Sequence, residues 1–471
     1  MLTRVIPSRR GPSEAAVKGD DLREVLFAFM DPAVIKEEAK ALRVTQRERV
    51  LDPVLLLIAI LCVGGTMEAA RLSGILREYV ELGGKQVARS VGNRWFDGEL
   101  LALIRRVKER GLAYALSLPR HLPGVLAGRS DWYAFDSTTV RLDDRLLEIW
   151  PGAGDYAALK VHVEISLGLE APVGWHISPA REHDALHLVI DERRRGTGLL
   201  VDLGYVSHKL FASCNAHDVH VVARLKEGWK VRLDAGAFVD GGEEWVGSDV
   251  VLRQMNGQPI VARPNEEFDV DVVLGPTSAP IRLRLVHVAT PEGYRALLTN
   301  VPRSTHDAQA IAFLYRLRWA VEIHNKLAKS GCQLDEISAR TATNVETLVE
   351  ASMIASLIAC LIAHKEHLSR GAVDQRVVRL KRGPVHPMLV WKFIAQPATS
   401  LPTHILAGCS GAAWERYTSN VIGMSEDPNW RSKPAPIDDA KGRNSQGRAW
   451  WKSRPNPKAA PRKAAANGAG A

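Results

Sequence analysis

The sequence is short of the residues that usually announce a site. Aromatics make up 6% of its 471 residues, and it has five cysteines. Cys62, Cys214, Cys332, Cys360 and Cys409 are scattered, odd in number and never spaced C-x2-C. That excludes a disulfide framework and a cysteine-based zinc finger, and reduced thiols in a cytoplasmic protein are expected. Long apolar runs are missing too. The two longest, Val54–Val63 and Ala351–Ala363, are too short to span a bilayer and read as buried helices, so no membrane contact is expected. Residues 1–18 lack the apolar segment of a secretory signal. Basic charge is scarce in the body of the chain. The net charge is +9, but from Asn429 onward ten Lys and Arg face only Asp438 and Asp439, which leaves the rest close to neutral. A nucleic-acid groove in the body must therefore come from local patches.

The length suits two or three domains with substantial cores. Residues 1–125 read as helical. Asp31–Pro32 can cap a helix, and Glu99–Leu112 carries a row of Arg105, Arg106 and Lys108 that suits either duplex contact or a plain solvated face. At Asp131 the pattern changes. DWYAFDSTTVRL, LKVHVEISL and PVGWHIS read as successive strands, then a helix at about 185–195, the short strand LLVDLG, a helix near 207–216 and the strand VHVVARL. The order β-β-β-α-β-α-β, closed much later by a long helix, matches a ribonuclease-H-like α/β core over 126–363. Between about 228 and 301 nearly everything reads as strand, which predicts an inserted all-β subdomain. A helical C-terminal region follows over 364–425, a candidate dimerisation element, then a basic tail over 426–471 whose composition predicts disorder.

Four residues of one predicted helix share a face. At about 100° per residue, Tyr315, Arg318, Glu322 and Lys329 fall within an arc of about 60°, while Phe313, Leu314, Leu317, Val321 and Leu327 lie opposite. A solvated face with an Arg318–Glu322 pair accounts for any one of them. Together, an acid flanked by cations and a phenol suits a metal site that also grips phosphate. Two further acids end apolar strands: Asp136 in WYAFDSTTV, and Asp202 directly after LLV, where it could instead cap the following helix. Three carboxylates brought together repel by about 4 kcal/mol per pair at ~4 Å and an effective dielectric of 20. A hard divalent cation with oxygen ligands resolves that, and two such ions can drive phosphoryl transfer.

Other polar residues carry less. Lys160 and His162 alternate on one strand face and could reach phosphate or simply mark an edge strand. Arg224 and Lys226 alternate at a strand end and could line a DNA groove. His183–Asp184 reads as a helix cap, His324 as a core histidine, and Trp319 as packing beside the acid. Arg448, Trp450, Trp451, Lys452 and Arg454 in the tail have a nucleic-acid-binding composition that solubilising disorder explains equally well.

The segment YRLRWAVEIHNKLAK resembles the signature helix of bacterial DDE transposases of the insertion-sequence-four family. FDSTTVRL is similar to that family's first-aspartate strand, LKVHV to its Lys-x-His strand, VDLGYVSHKLF to its second-aspartate segment, and ARLK to the basic element after it. The resemblance implies Asp136, Asp202 and Glu322 as catalytic metal ligands for two Mg²⁺, with Mn²⁺ able to substitute. It implies contacts from Tyr315, Arg318 and Lys329 to the phosphates of the transposon end. Tyr294 is the candidate for stacking on a flipped base in the insertion, where relatives carry tryptophan. Double-stranded DNA (terminal inverted repeats and target), a homodimer in the synaptic complex, end recognition by residues 1–125 and a bacterial, nucleoid-associated location are the implied setting. Cut-and-paste transposition is the expected activity. A nuclease that cuts without joining and a catalytically silent DNA-binding descendant are the rivals.

Overall fold

The computed structural model describes residues 17–45, 51–63, 72–226, 228–233, 239–240, 249–251, 253–255, 258–260, 267–276, 278–290, 293–374, 385–395 and 401–426. The expected tail, apart from its first residue, lies outside the described residues.

Six helices come first: α1 (Gly19–Met30), α2 (Pro32–Ala41), α3 (Pro53–Val63), α4 (Leu72–Glu81), α5 (Arg89–Trp95) and α6 (Gly98–Ser117). The Asp31 carboxylate accepts from Ala33 N–H at 2.9 Å to start α2, with Pro32 at the first helical position. Asp97 starts α6 in the same way through Leu100 N–H. Helix α3 is apolar on every side, and Val54–Leu61 are accordingly buried all round.

Strands β1 (Trp132–Arg141), β2 (Ala158–Ser166) and β3 (Ala171–Pro179) form an antiparallel meander. Strand β4 (Gly198–Val201) then runs parallel to β1, and after α7 (His208–Ala216) strand β5 (His220–Arg224) runs parallel to β4. The resulting order is β3-β2-β1-β4-β5. The helix expected at about 185–195 is absent. Two 3₁₀ turns, Asp184–His187 and Glu192–Arg194, take its place. Their local caps compete with a helix: His183 Nδ1 accepts from Ala185 N–H and Asp191 from Arg193 N–H, while Val189 and Ile190 add β-branched stiffness.

The chain continues through β6 (Lys230–Leu233), β7 (Val239–Asp240), β8 (Asp249–Val251), β9 (Arg253–Met255), β10 (Gln258–Ile260), β11 (Phe268–Leu274), β12 (Ile281–Thr290) and β13 (Gly293–Thr299). The expected strand-rich stretch is present but does not stand apart. Strand β13 pairs antiparallel with β5 (Leu297 opposite Arg224), so the central sheet runs on through β13-β12-β11-β6-β8. Only β9 and β10 pair separately among the described residues.

Helices α8 (Ala308–Leu317), α9 (Trp319–Lys326), α10 (Ala342–Asp374), α11 (Pro387–Ile394), α12 (Leu401–Leu406) and α13 (Gly411–Met424) complete the chain. The apolar run 351–363 is the middle of α10. Its stretch Ala342–Ser369 contains an 18-residue window as apolar as a bilayer span, with mean hydropathy 1.9, yet 94% of that window is buried inside the protein. It is a core helix, packed against α1, α3, α6 and α11. The α6 cations serve it: Arg105 pairs with Glu346 at 2.6 Å and Lys108 with Glu350 at 3.0 Å. Two members of the basic row are thus spent on internal pairs, and Arg106 lies beside Glu109.

Residues alternate across the sheet into two cores. Ala134, Leu200 and Val222 join the cluster containing α8–α10 and the N-terminal helices, whereas Phe135, Leu199, Val201 and Val221 join the one under α7. Asp131, 2% exposed, anchors the start of β1. Its carboxylate accepts from Arg120 Nε (3.1 Å), Trp132 N–H (2.8 Å), Ser166 Oγ (2.6 Å) and Gly168 N–H (3.1 Å). Asp131→Ala is expected to lower stability by about 3–5 kcal/mol in urea denaturation, because Arg120 and three donors lose a buried partner. A loss below about 1 kcal/mol contradicts that role.

Candidate active site

Register brings the two aspartates together. Phe135 of β1 pairs with Val201, the last residue of β4, so Asp136 within β1 and Asp202 just past the end of β4 follow side by side. Alternation puts both on the face of Ala134 and Leu200, toward α8 and α9. Helix α9, which carries Glu322, packs across β1 and β2 on that face. Asp136 feels both other acids. Burial first, then Asp202 and Glu322, push its pKa up to about 6, against the opposing pull of the Ser137 N–H and Arg318. Ser207, not Asp202, caps α7 through Leu210 N–H, which leaves the Asp202 carboxylate out of that cap.

One cation serves this acidic group. The Arg318 guanidinium pairs with Glu322, lies 5.9 Å from the Tyr315 ring centroid and interacts with Asp202. Burial opposes its charge, but Tyr315, Glu322 and Asp202 together hold its pKa above the usual arginine range. The Tyr315 phenol is 4% exposed and its hydroxyl has no hydrogen-bond partner among the described residues. Burial raises its pKa, while Arg318, Arg224 and Arg295 pull the other way. Lys329 Nζ donates to Thr139 O at 3.1 Å and pairs with Asp335 at 3.2 Å.

The signature helix is not regular. It is interrupted at Arg318 (φ −53°, ψ −27°), and Lys329 lies in a π turn, Leu327–Gly331. Such a turn departs from 3.6 residues per turn, so Lys329 is not set by the ideal helical arc. Trp319 corrects another expectation: at 61% exposure it does not pack beside the acid but projects outward with Ile323.

The remaining expected residues fall in several environments. Lys160 Nζ is committed to Asp184 (3.0 Å) and Glu182 O (2.8 Å). His162 turns inward, 4% exposed, with Nε2 2.9 Å from Ser178 Oγ. Burial and then the neighbouring His187 and His176 push its pKa down to about 3. Arg224 is half-buried near Tyr315, and Lys226 Nζ lies 5.9 Å from the Trp229 ring centroid. Tyr294 lies on β13 opposite Ala289. His324 is a core residue, bonded through Nε2 to Ser356 Oγ.

Two residues were missed. Asn325 Nδ2 donates to Asp136 Oδ2 at 3.3 Å; its position three residues after Glu322, on the same helix face, was the available signal. Asp184, read as part of a cap, instead accepts from Ser137 Oγ (2.9 Å) and Lys160, and a side chain at Gly204 would crowd it at 3.0 Å. No local pattern foretells that contact.

Carboxylate oxygens suit hard divalent cations. Asp136, Asp202 and Glu322 neighbour one another, but the described group of three whose ligand atoms all lie within 4.8 Å is His162, His176 and His187. Arg318 engages Glu322, and burial with the like charge of Asp202 and Glu322 works against ionised Asp136.

This arrangement lies within a region of known type: residues 128–358 match the transposase DDE domain. The matched domain makes this an enzyme of the DDE nuclease/transposase type, and DDE transposases generally use divalent metal ions. Among solved structures it is similar to the piggyBac transposase in a synaptic complex with hairpin DNA, at 10% identity and a TM-score of 0.46, over 92% of this chain and 90% of that one. No curated protein matches the chain.

In the metal-free protein, Asp136 ionises at about 6, against an ordinary value of 3.8. A raised carboxylate pKa means that folding disfavours the ionised form. The penalty is small below pH 4, grows between pH 4 and 6, and levels off above, at on the order of 3 kcal/mol. Asp136→Asn is therefore expected to raise the melting temperature of chelator-treated protein at pH 8 and to change it little at pH 4. Equal melting of the two proteins at pH 8 contradicts this electrostatic reading.

Proposed function

We propose that this enzyme is a cut-and-paste DNA transposase of the insertion-sequence-four type, with Asp136, Asp202 and Glu322 as its catalytic carboxylates. The observation that carries the reading is the shared electrostatics of these three acids and Arg318 within the DDE domain. The strand order β3-β2-β1-β4-β5, with an antiparallel β2 and parallel β4 and β5, supports a ribonuclease-H-like core.

The three carboxylates would hold Mg²⁺ or Mn²⁺, which when bound supply charge neutralisation at the phosphodiester and lower the pKa of the attacking hydroxyl. The remaining work belongs to the chain. Asn325 fixes one oxygen of Asp136 and the Ser137 N–H the other, which orients that carboxylate. The buried Tyr315 hydroxyl is a donor without an acceptor, and a phosphate oxygen of the DNA end would satisfy it. Arg318 and Lys329 extend that contact along the strand, and Arg224 with Lys226 continues it from β5. Water attacks phosphorus at the element's end, an oxygen–phosphorus bond forms in line, and the bond to the 3′ oxygen breaks. The freed 3′-OH attacks a target phosphorus in the same way, with no covalent enzyme intermediate. Two copies would pair the two ends before cutting.

The test is incubation of the full chain with the DNA flanking its own gene and Mg²⁺, mapping the cut ends. Wild type is expected to cut at the inverted-repeat boundary and to join pre-cut 3′-OH ends to target DNA. Asp136→Asn should lose cleavage by a hundredfold or more while keeping end binding within a few-fold. Full activity of that variant removes the assignment, and cutting without joining makes the enzyme a nuclease. Millimolar Mg²⁺ should also raise the melting temperature, since it binds the folded state alone; an unchanged value argues against a preformed site.

A further inference from the structure

A second cluster of ligating side chains lies on the β2–β3 half of the sheet, where the proposed chemistry has no use for it. His162 of β2 and His176 of β3 are register partners, and His187 comes over them from the turn Asp184–His187. The rings are close: His162 to His187 is 4.0 Å between centroids and His162 to His176 is 4.7 Å. One nitrogen from each lies within 4.8 Å of the other two.

The details favour a metal over a plain aromatic stack. His176 Nε2 and His187 Nδ1 are 3.0 Å apart. In a tetrahedral site with bonds of about 2.0–2.1 Å, two ligand nitrogens stand about 3.3 Å apart, so a small separation admits a cation between this pair. The far nitrogen of His187, Nε2, lies 3.0 Å from Glu182 Oε2 without hydrogen-bond alignment, so a small turn of that carboxylate would complete the support. A carboxylate behind a ligating histidine is the arrangement that fixes ring orientation and tautomer in metal sites. His162 can surrender one hydroxyl partner, Ser178 Oγ at 2.9 Å or Tyr205 OH at 3.4 Å, and keep the other behind it. Burial is graded from His162 inside to an exposed His176, which leaves the cation a route of entry.

We propose that His162, His176 and His187 form a transition-metal site separate from the carboxylates, with Zn²⁺ as the preferred occupant and Glu182 supporting His187. Imidazole nitrogen selects zinc and its neighbours in the first transition row, whereas carboxylate oxygen suits magnesium, so the two sites sort their cations by donor type. The bound ion would tie β2 and β3 to the turn that carries Asp184, and so to Ser137 beside Asp136.

Tag-free full chain, stripped with chelator and dialysed against a slight excess of Zn²⁺, is assayed for bound metal by mass spectrometry in the presence of millimolar Mg²⁺. Wild type and Asp136→Asn are each expected to retain about one zinc per chain, which keeps this outcome independent of the carboxylate assignment. His176→Ala and His187→Ala, checked for folding by circular dichroism, should each lose zinc affinity tenfold or more. A wild type that retains no zinc, or zinc held equally by both histidine variants, overturns the proposal.

Discussion

The site depends on one charge balance: three carboxylates and the half-buried Arg318 guanidinium that pairs with one of them. Asp136 and Asp202 are brought side by side by the parallel pairing of β1 with β4, and Glu322 is delivered by α9 across the same face. Burial first, and like charge from Asp202 and Glu322 after it, disfavour the ionised form of Asp136 and raise its pKa. Arg318 is the counter-charge the protein itself supplies, and it leans toward Glu322. Arg318 pairs with one of the three acids while Arg224 and Arg295 lie around Tyr315, and clustered carboxylates of this kind favour recruiting a divalent ion.

The rest of the structure holds this balance in place. Buried Asp131 fixes the first residues of β1. The sheet is covered on both faces, so the strands bearing the aspartates are buried between two apolar clusters. Core helix α10 ties the N-terminal helices to the sheet side, and the cations of α6 are neutralised against it. Among the described residues between Asp202 and Glu322, strands β13, β12, β11, β6 and β8 extend the central sheet itself, while β9 and β10 pair separately.

Much of this was legible because its signals are local. The apolar stretches leading into Asp136 and Asp202, the Asp31–Pro32 cap and the amphipathic spacing around Glu322 each need only a short window of sequence. What failed depends on distant partners. The helix expected at 185–195 lost to side-chain caps within that segment, and strand patterns alone do not say which edge they join, here β5 through β13. Trp319 read as packing beside the acid, but it falls on the same side of the helix as Tyr315 and Glu322 and is exposed there. Lys160 and His162 looked like a surface pair, whereas register against β3 and the turn after it engages both inside the protein. The contacts of Asn325 with Asp136 and of Asp184 with Ser137 exist only once the sheet has formed.

The most direct measurement is the location of Mn²⁺ by anomalous diffraction from crystals of the metal-loaded chain. The account predicts a peak bounded by side-chain oxygens of Asp136, Asp202 and Glu322, with the Arg318–Glu322 pair opened to admit it. A peak at a different set of acids, with those three residues empty and the pair intact, would contradict it.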